Sequence, residues 1–178
     1  MQTRRQELAD ELAALPEAQK RLIYREQMAI YNTKLVEAAQ AAGVLSPLDF
    51  ATFQDHGYMG LYGGLRENAI HAQKGLADGQ HILDFMGSEE LADNIFRAAQ
   101  TDAKLRREQI TGKYEANQAH FEVGRKVRQT IGELGGTMPE DLPTPEKSIQ
   151  QLQKEEEQRL ARRLQPSLFE EEESEGNE

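Results

Sequence analysis

The chain has no cysteine and no tryptophan, and only 6% of its 178 residues are aromatic. Without cysteine there is no disulfide, no thiol nucleophile and no cysteine-ligated zinc, which suits a reducing compartment. No apolar run approaches the ~20 residues that a membrane-spanning helix needs. The start, MQTRRQELADEL, has the basic residues of a signal peptide but no apolar stretch behind them. These absences set the expectation of a soluble, cytoplasmic protein with no membrane partner.

Several motifs are missing too. There is no HExxH, no EF-hand loop, no P-loop and no GxSxG, and GLYGGL lacks both the preceding strand and the spacing of a phosphate-binding loop. Four histidines (His56, His71, His81 and His120) have no ligand-motif spacing and read as ordinary core or surface residues. No catalytic residue, metal site or cofactor is therefore expected, although a carboxylate-only, metal-dependent nuclease leaves no such signature.

What is present is charge and helix-forming residues. Acids outnumber bases, 31 to 21, for a net charge of −10. Six of the acids (Glu170 to Glu173, Glu175 and Glu178) fall in residues 166–178, which hold no base, so the remainder stands at only −4. Mean hydropathy is low at −0.74, and the apolar deficit is concentrated at the same end. No period-2 alternation is sustained anywhere, so the expected fold is all-α: a compact multi-helix body, an exposed C-terminal helix and a disordered acidic tail. The expected boundaries are 1–142 for the body, 143–164 for linker and helix, and 165–178 for the tail.

Within the body, residues 2–14 read as a short helix. Pro16 opens a second helix that runs to about Ala42, with Tyr24, Met28, Tyr31 and Leu35 as one seam and Leu22, Ala29 and Val36 as another. Apolar on two faces, it is the candidate central helix. Ser46-Pro47 signals the next start. The segment HGYMGLYGGL (56–65) mixes glycine with large apolar residues, which implies close backbone approach or a tight turn. A short helix spans Arg66 to Lys74. Ser88 caps a helix to about Gln109, whose inner face is Leu91, Ile95, Ala98 and Leu105 with Phe96 and Ala99 alongside. After Gly112 the last body helix carries Val123, Val127, Ile131 and Leu134 and stops at Gly135-Gly136, ahead of Pro139, Pro143 and Pro145. Thr144-Pro145-Glu146 opens the exposed helix, with a thin stripe (Ile149, Leu152, Leu160, Leu164) and an expected Glu155–Arg159 pair.

Two features point to function. Across residues 101–135 seven bases (Lys104, Arg106, Arg107, Lys113, Arg125, Lys126 and Arg128) face five acids, a net of +2. They read either as a phosphate-contacting surface on two helices, making DNA a partner, or as an ordinary solvated face. The tail holds Gln165-Pro166-Ser167-Leu168-Phe169, similar to the pentapeptide with which bacterial proteins bind the DNA polymerase sliding clamp. In that mode Leu168 and Phe169 fill apolar pockets, Gln165 bonds at the rim, and Ser167 matches the middle of the motif; Pro166 departs from the commoner leucine. The alternative is that Leu168 and Phe169 clip back onto the body.

Longer segments carry a family resemblance. QTRRQELADE (2–11), FQDHGYMGLYGGL (53–65), ILDFMGSEELADNIFRAAQT (82–101) and HFEVGRKVRQTIGELGGTMPEDLPTP (120–145) resemble the C-terminal portion of the bacterial DNA damage-inducible protein D family. The resemblance covers roughly residues 2–150. It implies a cytoplasmic protein of the SOS response, acting on DNA or on repair machinery such as a recombinase filament. A BRO-like N-terminal domain normally precedes the QTRRQEL segment in that family, whereas Met1 stands directly before it here. The chain is thus expected to be a fragment or a naturally short member.

Overall fold

The computed structural model describes the backbone of residues 2–175, and the side chains there except those of Gln2, Leu12 and residues 166–175. It contains α1 (Gln2–Ala13), α2 (Glu17–Ala41), α3 (Pro47–Leu61), α4 (Glu67–Gln73), α5 (Ser88–Arg107), α6 (Lys113–Glu133) and α7 (Ile149–Glu175), with 3₁₀ turns at Ile82–Phe85 and Pro139–Asp141. Among the described residues there is no strand. The all-α fold is as the periodicity predicts.

Two helix pairs make the body. α3 packs along α6 and α2 along α5, and α5 joins the pairs by also meeting α6 and α3. The helix that links the two pairs is therefore α5, not α2, which its two apolar seams suggest as the central helix. α2 buries Met28, Leu35, Ala38 and Ala39 but leaves Ile23 and Ile30 exposed.

The α3–α6 contact explains the glycine-rich segment. A Cβ added at Gly60 would lie 2.3 Å from the Phe121 carbonyl oxygen, and one at Gly124 would lie 2.7 Å from that of Gly57. A Cβ at Gly57 would enter the His120 ring. All three are helical, so these glycines serve backbone approach rather than a turn. The turn comes just after, where Gly63 and Gly64 have φ of 65° and 103°.

Helix ends follow local chemistry, with two departures. Ser46 Oγ accepts from Asp49 N at 3.1 Å, the expected cap of α3. Gly135 takes a φ of 74° while Gly136 N donates to Ile131 O at 2.9 Å, which closes α6 as read from the sequence. Ser88, by contrast, is the first residue of α5 rather than its cap. Its N–H and Oγ–H donate to the two carboxylate oxygens of Glu17, both at 2.7 Å, so α2 caps α5. α7 begins at Ile149 and not at Pro145, because Ser148 and Gln151 form a reciprocal capping box.

Among its described residues, α7 is buried at its start. Ile149 and Leu152 are buried, and Gln150 Nε2 donates to Asp84 at 2.9 Å. Beyond them every described residue but Glu156 is exposed. Glu155 pairs with Lys147 at 2.7 Å and Arg159 with Glu156 at 2.6 Å, in place of the expected Glu155–Arg159 bridge. The backbone continues as helix through Pro166 to Glu175, where composition predicts disorder. Composition registers how little apolar surface the segment buries. Glutamate's helix propensity, and the ease of extending a helix already begun, act in the other direction.

Candidate functional site

The seven bases do not form one surface. Lys104 on α5 and Lys126 on α6 wall the same groove, whose lining includes Phe96, Val123 and Val127. Arg106 bonds to Asp102 at 2.7 Å and reaches the Lys34 carbonyl at 3.3 Å, towards α2. Lys113 lies 3.5 Å from Asp49 and over the Tyr114 ring. Arg128 is turned to the other side of α6, donating to Glu140 at 2.6 and 2.8 Å and to the Leu61 carbonyl at 3.1 Å. Burial alone would raise the Glu140 carboxyl, but the hydrogen bond and charge of Arg128 hold it below the ordinary carboxylate range. Arg128 is thus a structural tie that fastens the proline segment to the α3–α6 pair. Arg107, Arg125 and Lys126 are exposed and have no ion pair with a described residue.

The inner stripe of α5 is polar, which an apolar-periodicity reading overlooks. Glu90, Asn94, Arg97 and Thr101 are all 1% exposed or less. Tyr62 Oη donates to Glu90 at 2.6 Å, Lys74 Nζ donates to the other Glu90 oxygen at 2.8 Å, and Asn94 Nδ2 donates to Tyr62 Oη at 3.0 Å. Arg97 bonds to Asn94 Oδ1 at 3.2 Å and to His120 Nε2, and its guanidinium stacks 5.0 Å from the Tyr58 ring centre. His120 Nδ1 is 2.8 Å from the Phe53 carbonyl oxygen. An imidazole that donates from Nδ1 to a carbonyl and accepts at Nε2 from a guanidinium is neutral. Burial and then the Arg97 charge push the His120 pKa well below its usual value. Burial pushes Glu90 up against the opposing pull of Lys74, and pushes the Tyr58 hydroxyl to about 12. These groups are engaged with one another across α3, α4, α5 and α6, which makes the network a brace between helices. The sequence signal was there: Glu90, Asn94, Arg97 and Thr101 recur at helical spacing, but as polar residues.

The histidines do not meet. His56 and His71 bond to the carbonyls of Thr52 and Ala77, and His81 Nδ1 accepts from Leu83 N. Among the described residues no three His, Cys, Asp or Glu side chains gather closely enough to hold a metal ion. Gln165 is exposed, whereas Ser167, Leu168 and Phe169 have side chains outside the described residues. Among the described residues no helix is long and apolar enough to cross a membrane.

Residues 15–152, which include both helix pairs and the brace, match the DinD C-terminal domain. The chain belongs to that family. It is 61% identical over 155 residues to DNA damage-inducible protein D of Escherichia coli strain K12, a match that covers 86% of this chain. The chain spans 57% of that relative's length. No solved structure matches. Every segment quoted for the resemblance, apart from QTRRQELADE, falls inside the matched range.

Proposed function

We propose that this DinD-family chain is an interaction protein of the DNA-damage response, with a helical body that engages a repair partner and a C-terminal segment that tethers it to the DNA polymerase sliding clamp. The identity to the Escherichia coli protein supports the DNA-damage-response role. The tether rests on the Gln165-to-Phe169 pentapeptide, which lies beyond Leu152, the last buried residue among those described. A clamp groove takes an extended peptide, and the last turns of a helix unwind at small cost. Tethering raises local concentration at replication sites without demanding a tight body–partner contact, for which a recombinase filament is one candidate. Titration of the chain against purified clamp tests the tether. We expect saturable binding that a Leu168→Ala/Phe169→Ala double variant abolishes; equal affinity for both proteins would remove the tether.

A second reading is direct DNA binding. Arg107, Arg125 and Lys126, exposed and free of described ion pairs, favour it. Duplex affinity would then fall steeply with salt, and reversing Arg125 and Lys126 to glutamate would lower the log–log salt slope by about 1 per lost phosphate contact. A flat salt dependence counts against it.

A further inference from the structure

Phe96 is 51% exposed in the middle of α5. It stands between two shallow grooves, one shared with α6 and one with α2. The α5–α6 groove has a volume of about 250 Å³, an apolar floor of Phe96, Val123 and Val127, and the ammonium groups of Lys104 and Lys126 on its walls. Glu122 is the one acid on its lining. Lys126 has no ion pair with a described residue, and the Glu108 that holds Lys104 at 2.8 Å is itself 45% exposed and readily exchanged for another carboxylate. An apolar floor between two cations fits a peptide in which neighbouring large apolar side chains are followed by acids.

The chain contains such a peptide. Leu168-Phe169 is followed at once by four glutamates, and no base occurs from Pro166 onward. We propose that the α5–α6 groove of one copy receives the Leu168-Phe169 segment of a second copy. The two side chains fill the space beside Phe96, and Glu170 to Glu173 lie against Lys104 and Lys126. Geometry favours exchange between copies over folding back. α7 is anchored against the side of α2 that carries Leu22 and Ala29, whereas Tyr24 and Tyr31, on the opposite side, face α5. A helix rising about 1.5 Å per residue carries Leu168 roughly 24 Å along its axis from Leu152. The docking does not depend on clamp binding, but it covers the same two side chains, so a copy held this way is unavailable to the clamp until the clamp competes it off.

The test is a fluorescently labelled peptide of residues 165–178, titrated by anisotropy with the full chain carrying Leu168→Ala/Phe169→Ala, so that the protein's own tail does not compete. Saturable binding that weakens as salt is raised is expected. Phe96→Ala should reduce affinity about tenfold, as for a central aromatic anchor. Lys126→Glu should reduce it at least as far. Both positions are exposed, and circular dichroism melts confirm that each variant is folded. Absence of binding, or equal affinity for the parent and for both variants, overturns the proposal. So does equal binding of a peptide in which Leu168 and Phe169 are alanine, since bare charge attraction would then suffice. Binding of the same labelled peptide to purified clamp is a separate measurement, so either result can fail without the other.

Discussion

At the scale of single residues, the feature with most consequence is a cation in the core with no carboxylate against it. Arg97 is wholly buried and is held by a neutral imidazole, an amide and an aromatic face, while its Nε finds no hydrogen-bond partner among the described residues. Protonating His120 would set two cations against each other. Its folded pKa lies below the unfolded value of about 6.5, so the unfolded chain takes up the proton first. The group therefore contributes no pH dependence well above that value, and stability is lost as pH falls through it. Asp93 acts with the opposite sign. Burial, with Glu89 and Glu90 nearby, raises its pKa to about 7, so the folded state holds a proton that the unfolded state has lost between roughly pH 4 and 7. Two outcomes follow for urea unfolding at pH 5 to 8. His120→Gln, which keeps an acceptor but loses the ring stacked on Phe53, should cost about 1–3 kcal/mol at pH 8 and lose less than the parent on acidification to pH 5. Asp93→Asn should raise the thermal midpoint by a few degrees at pH 8, with the gain shrinking by pH 5.

At the scale of elements, the body depends on two unlike contacts. The α3–α6 contact has no room for a methyl group at Gly60 or Gly124. Either glycine changed to alanine should destabilise by about 1–3 kcal/mol, and by more if the helices cannot separate; a change under 0.5 kcal/mol in denaturant titration would contradict the close approach. The proline segment is held by a polar tie instead. Arg128→Ala should leave duplex DNA affinity nearly unchanged while speeding proteolysis between Gly136 and Ser148, because it releases Glu140. How legible each element was depends on where its partner lies. Ser46 and Gly135 could be read because a cap acts within a few residues. Glu17 capping Ser88 could not, since the two are 71 positions apart. The polar stripe of α5 was obscured for a related reason. Glutamate, asparagine and arginine at helical spacing look solvated until Tyr62, Lys74 and His120 arrive from other helices. Phe96 was placed near the inner face and lies outside, because α2 and α6 cover the two flanks of α5 and leave its ridge open. Of the seven candidate bases, sequence proximity grouped residues that the helix turn then separates. Arg128 and Lys126 end on opposite sides of α6.

At the scale of the whole molecule, apolar and polar contacts lock α2 to α6 into a unit, while the described side chains of α1 are all exposed and the buried residues described in α7 lie in its first turn. In the proposed tether the terminal segment is taken up by a partner with a peptide groove, and the acids behind Leu168-Phe169 would keep it from collapsing onto other acidic surfaces. The account rests on that separation between a rigid body and a segment that something else grasps. Its most direct test is capture from bacterial cells after DNA damage, comparing the full chain with one ending at Leu164. The account predicts that sliding clamp is recovered with the full chain and lost with the shortened one, while the body's own partner is retained by both. Equal recovery of clamp by the two proteins would contradict it.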